Sequence, residues 1–180
     1  MMERIELALL VRETTPTKYS NLVTRAMGAA VRDRVQERII ANPHPTTHLD
    51  FGSIDILDFS CADEVVAKLL LADPGDRPRF VVLVNISDAH REAIEHVLEI
   101  HGLTVAAIPG PDDRPCVLGW RTPDLVAAFN SVVELGAGDA SRVADSLGWT
   151  LERAADALQS LALRRVVQAA SGTYRPLALS

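Results

Sequence analysis

The sequence predicts an α/β layer domain followed by a smaller helical unit that ends in a β-hairpin. Two observations carry this reading. From residue 5 to about residue 120, short apolar or β-branched runs alternate with segments of helical periodicity, as in a sheet with helices packed upon it. After Thr122-Pro123 the rhythm changes to three capped helical segments and a turn-linked pair of short strands. A chain of 180 residues can hold one sizeable core, or a medium core with a small appended module. The change of rhythm divides it into 1–121 and 122–180.

Composition bounds the function. Hydrophobic residues make up 48% and charged residues 23%, the balance of a globular protein. The net charge of −6 is unevenly placed, with 13 Lys/Arg against 20 Asp/Glu in 1–136 and 5 against 4 in 137–180. The first part should therefore repel nucleic acid, and the tail is close to neutral towards it. Cys61 and Cys116 form no disulfide framework and fit a reducing compartment. The apolar run Ile5–Val11 lacks a basic start and is too short for a signal peptide or a membrane span. A cytoplasmic protein with no membrane partner is expected.

The elements follow in order. Ile5–Val11 reads as a buried strand, and Thr14–Thr17 as a breaker. A helix opens at Ser20 or Asn21, presents Leu22, Val23, Ala26, Ala30, Val35 and Ile39 at helical spacing, and stops at Pro43. Arg25, Arg32, Arg34 and Arg38 fall between these apolar positions. With Asp33 and Glu37 interleaved they read as a solvated face. Thr46–Phe51 is the next strand, Ile54–Leu57 a link, and a helix runs from the Asp58-Phe59-Ser60 turn to about Leu71. The loop Asp73–Pro78 leads into the β-branched strand Phe80–Ile86. Asp88 caps a helix that ends at Gly102, and the strands Leu103–Ile108 and Cys116–Trp120 follow. Thr122, Asp139 and Thr150 each cap a helix, and Ser171-Gly172 joins the last two strands. Helix, helix and two-stranded wing is the order of a winged helix-turn-helix module.

The chemistry concentrates at one turn. Ser60 sits at a helix start, where free N–H groups and the helix dipole favour negative charge. Two readings stand side by side. Ser60 with Asp63 has capping-box spacing, a purely structural role that stabilises by roughly 1 kcal/mol. Alternatively the hydroxyl is a regulated or partner-contacting group. A phosphate there would gain from the helix N–H groups and be opposed by Asp58, Asp63 and Glu64. Asp63 and Glu64 are adjacent, so they do not face one another as an acid–base pair. They read as a solvated face or a docking surface. Cys61 reads as a core or turn residue, although a helix start favours thiolate.

Other motifs are missing from the sequence. His90, His96 and His101 are six and five residues apart, which does not place metal ligands on one helix face. Neither a glycine-rich dinucleotide fingerprint nor a phosphate-binding loop with lysine occurs, so no cofactor is expected. Ser60 lacks the Gly-x-Ser-x-Gly elbow of hydrolases, and a non-enzymatic protein is expected.

Residues 1–120 resemble the STAS domain of anti-sigma-factor antagonists, and more closely a STAS-like subgroup with a Ser-x-Ala-Asp-Glu turn. Leu49-Asp50-Phe51-Gly52 followed by Leu57-Asp58-Phe59-Ser60-Cys61 matches the antagonists' Leu-Asp-Leu-Ser and Met-Asp-Ser-Ser-Gly. Tyr19-Ser20-Asn21-Leu22 with Arg25, Gly28 and Arg32 looks like the subgroup's entry to its first helix. The resemblance implies a mixed sheet with packed helices, Ser60 at the phosphorylated serine, and a histidine-kinase-like ATPase as partner. Phe59 and Cys61 depart from the antagonists' serine and glycine, and Cys61 narrows the approach of a kinase backbone.

The functional expectation is regulation by docking through the Ser60 turn and the Asp63–Leu71 helix. The alternative is a transcriptional regulator that binds DNA through Arg153, Gln159, Arg164, Arg165 and Arg175 of the tail. Glu152 and Asp156 on the same helix weigh against it. A small-molecule or nucleotide sensor with its ligand near the Ser60 turn is the third reading.

Overall fold

The first four strands pair in chain order and run parallel, and the rest of the architecture follows from that. The computed structural model describes residues 2–15, 20–72 and 79–177. Strands β1 (Glu3–Glu6), β2 (Thr46–Asp50), β3 (Phe80–Val84) and β4 (Thr104–Ile108) lie side by side. β5 (Cys116–Gly119) closes the sheet antiparallel to β4. Crossovers between adjacent parallel strands share one hand, so sequential order places every crossover helix on the same face. That face carries α1 (Leu7–Thr14), α2 (Arg25–Ala41), the helical stretch 59–71 and α5 (Asp88–His101). Ile5, Leu49, Leu83, Val105 and Leu118 project into their shared core.

The other face needs cover, and residues 122–177 supply it. α6 (Pro123–Leu135), α7 (Ala140–Leu147) and α8 (Leu151–Leu163) precede a hairpin of β6 (Val167–Ala170) and β7 (Thr173–Pro176). Leu125, Ala128, Phe129 and Val132 of α6 share one apolar cluster with Val82, Val84, Ala106 and Val117 of the sheet. Leu158 and Leu161 of α8 join the same cluster. The hairpin turns through Ser171 and Gly172, both with positive φ, as a two-residue mirror-image turn requires.

Several boundaries differ from the sequence reading. The run 5–11 is not one strand: β1 ends at Glu6, and Leu7, Ala8, Leu10 and Val11 are buried while Leu9 is exposed. That spacing is helical, and a short apolar run alone does not separate the two periods. α2 begins at Arg25, capped by Thr24, whose side chain accepts from the Met27 amide. Ser20 and Leu22 belong to an extended strap instead. The Leu22 amide donates to the Ile56 carbonyl at 2.8 Å, and the Asp58 amide donates to the Leu22 carbonyl at 2.9 Å. Ser87, not Asp88, caps α5, in a reciprocal pairing with His90. Tyr19, Pro16-Thr17 and the loop Asp73–Pro78 lie outside the described residues. Among the described residues no helix is long and apolar enough to cross a membrane.

Candidate functional site

The stretch 59–71 is helical throughout but changes its winding. It comprises α3 (Phe59–Ala62), a π-helical turn (Asp63–Ala67) and α4 (Lys68–Leu71). Its cap is Asp58 rather than Ser60: the Asp58 carboxylate accepts from the Cys61 amide at 2.8 Å. Ser60 is the second helical residue and donates its hydroxyl to the same Asp58 oxygen at 2.8 Å. The capping-box role read for Ser60 and Asp63 is therefore filled otherwise, because Asp58, two residues earlier, sits in the extended backbone of a cap. Ser60 itself is half-buried. Beside it Phe59 is 50% exposed and Ile56 53% exposed. The Phe59 ring leans on His96 of α5, with centroids 4.8 Å apart.

Asp63 and Glu64 are held inside the molecule by cations. Glu64 is only 2% exposed, so it is not part of a solvated face. Its carboxylate takes Arg25 at 2.8 Å, Arg32, and Lys68 one turn along the helix. Asp63 takes Arg25 at 2.7 Å and His101 at 2.8 Å. Burial works to raise both carboxyl pKa values. For Glu64 the hydrogen bonds from Lys68 and Arg25 with the charges of Arg32 and Lys68 outweigh it. For Asp63 the hydrogen bonds from Arg25 and His101 do so, and both acids end below the usual carboxylate range. Of the three acids near Ser60, Asp58 alone has no cation partner among the described residues.

The cations arrive because α2 comes very close. A Cβ at Gly28 would stand 3.0 Å from the Cys61 Cα and 3.1 Å from the Glu64 Cβ, so glycine permits this crossing. Arg25 and Arg32 flank it at i−3 and i+4, on the same helix face. Arg34 and Arg38 point elsewhere, towards Glu37 and Glu13. An arginine–glycine–arginine stripe at 25, 28 and 32 is the signal that separates the two pairs. Reading all four arginines as one solvated face passes over it. Cys61 is sealed at the crossing, its thiol donating to the Thr24 carbonyl at 2.9 Å. Burial and the charge of Asp58 push that thiol up to about 12, so it is protonated and unreactive.

The tail residues do not form one surface. Arg153 is engaged by Asp124, at 2.7 and 2.9 Å, and lies over the Trp149 ring. Gln159 and Arg175 are exposed. Arg164 and Arg165 turn back to the α/β layer, donating to the carbonyls of Gly102 and Leu70. No family model matches the chain, and no curated protein is similar enough to count as a relative.

Proposed function

We propose that this protein is a non-enzymatic regulator whose STAS-like residues 1–121 dock a protein partner through the Ser60 turn. One observation carries the reading. A half-buried serine, its hydroxyl held by Asp58, stands beside two exposed apolar side chains, Phe59 and Ile56, on a capped helix start. Single exposed apolar residues need no explanation, but two that flank a modifiable group make a compact recognition surface. The partner we favour is a histidine-kinase-like ATPase, and phosphorylation of Ser60 would switch the contact by adding charge. With Asp63 and Glu64 already answered by Arg25, Arg32, Lys68 and His101, a phosphate would meet chiefly Asp58. It would also displace the Ser60–Asp58 hydrogen bond. The test is the affinity of wild type, Ser60→Ala and Ser60→Asp for such an ATPase from the same source. Ser60→Ala should bind like wild type and Ser60→Asp at least about tenfold more weakly, as expected for a charge placed in a contact. Equal binding by all three rejects the switch.

A second reading makes the tail a winged-helix DNA reader. Its support is the helix–helix–hairpin order together with the bridge of Gly138 to Tyr174, which adds a third extended segment to the wing. Glu152 and Asp156 on α8, and the engagement of Arg153 by Asp124, favour protein contacts instead. Retention on DNA at low salt, abolished by Arg175→Glu, would establish it.

A further inference from the structure

A cavity of about 990 Å³ opens at the amino-terminal ends of β3 and β4, between the carboxyl-terminal ends of α2, α4 and α8. It lies at the far end of the helical stretch that begins at Phe59, so it is distinct from the docking turn. Its size is at the upper end of the about 300–1,000 Å³ typical of small-molecule sites. Ile39, Leu69, Val81 and Leu103 give it aliphatic walls. Ile40 and Leu163 stand on it as well, and at 75% and 77% they are the most exposed large apolar side chains among the described residues. Apolar surface of this kind remains in water unless something covers it.

Three arginines border the same space. Arg79 donates to the carbonyls of Asn42 and His44 at 2.8 and 3.2 Å. Arg164 donates to the Gly102 carbonyl at 2.9 Å and stacks over Trp120 at 3.9 Å. Arg165 donates to the Leu70 carbonyl at 2.7 Å. Each is thus anchored at the carboxyl end of a helix, where the dipole favours a cation. A guanidinium carries five N–H donors, so each keeps some for a ligand. None pairs with a carboxylate among the described residues. Arg165 also holds a left-handed backbone, φ 56°, directly after α8, where glycine is the usual residue. A neutral lipid would leave these cations unanswered, and a small inorganic anion would leave the aliphatic walls wet.

We propose that this cavity binds a small amphipathic carboxylic acid, its carboxylate on Arg164 and Arg165 and its apolar body against Ile39, Leu69, Val81 and Leu103. The guanidinium fork matches a carboxylate in two parallel hydrogen bonds. The experiment is calorimetric titration of the full chain with decanoate, with decanol and acetate as controls. Decanoate should saturate at one per chain, with decanol at least about tenfold weaker because it lacks the charge-assisted hydrogen bonds, and acetate at least about tenfold weaker because it lacks the apolar body. Arg165→Gly removes the guanidinium while suiting the left-handed backbone, so its fold, checked by circular dichroism, should persist. It should weaken decanoate by about tenfold. Ile40→Glu, at an exposed position on the cavity, should weaken it too by placing a like charge at the mouth. Decanol binding as tightly as decanoate, or unchanged affinity in both variants, overturns the proposal. So does a decanoate-insensitive dimer that Arg165→Gly dissolves, because the cavity would then be an interface between two copies.

Discussion

Glu64 gathers more charge around one buried atom group than any other described residue, and what happens when it is removed depends on where its partners end. Arg25 and Lys68 reach solvent, whereas Arg32 is mostly covered. Breaking a fully buried pair costs about 3–5 kcal/mol. With two of three partners able to hydrate, Glu64→Gln should cost less, about 2 kcal/mol, read as a lower midpoint in urea unfolding. Gly28→Ala sets two effects against each other. Alanine favours the helix by about 1 kcal/mol. The new methyl would press on the Cys61 backbone at 3.0 Å, and overpacking typically costs about 1–3 kcal/mol. Because the obstacle is backbone rather than a movable side-chain tip, the clash wins, and the variant should be destabilised by about 1 kcal/mol net. A Gly28→Ala protein at least as stable as wild type would show that the two helices can part freely.

At the scale of the element, the stretch 59–71 is fastened by its cap and its acids, and both can be tested. Asp58→Ala removes the acceptor for the Cys61 amide and should cost about 1 kcal/mol, whereas Ser60→Ala should change stability by less than about 0.5 kcal/mol. The two lowered carboxyl pKa values also set a pH dependence. Each group's folded value lies below its unfolded value of about 4, so its stabilisation is complete above that pH. It is lost as pH falls through the folded values. Thermal stability should therefore hold down to about pH 5 and drop below about pH 4, and Glu64→Gln should flatten that drop. The sequence made the helix itself legible through Leu57-Asp58-Phe59-Ser60 and the apolar run that follows. The cap was misplaced because Asp58 and Ser60 are both good caps, and only backbone conformation separates them. Apart from Lys68, one turn along, the partners of Asp63 and Glu64 were less legible, since they come from residues 25, 32 and 101, distant in the chain.

For the whole molecule, the sequential parallel order leaves one sheet face without helices of its own. Val82, Val84, Ala106 and Val117 share one apolar core with α6 and α8, and Arg164 ties the tail to Gly102, Thr104 and Trp120. The full chain should consequently unfold in one calorimetric transition, and a 1–121 fragment should aggregate or bind a hydrophobic dye. Two well-separated transitions would mean that the two parts are stable independently. Strands β2 to β5 and all three tail helices could be read from periodicity and caps. The tail's packing on the sheet could not, because continuous apolar strands say that both faces are covered without naming the cover. The cavity was equally hidden, since its walls come from five separated stretches of chain.

The measurement that bears most directly on the docking account is amide hydrogen exchange with and without a histidine-kinase-like ATPase. The account predicts added protection across residues 56–64, centred on Phe59 and Ser60, and its loss when Ser60→Asp replaces wild type. Protection confined to the tail, or to no segment at all, would contradict it.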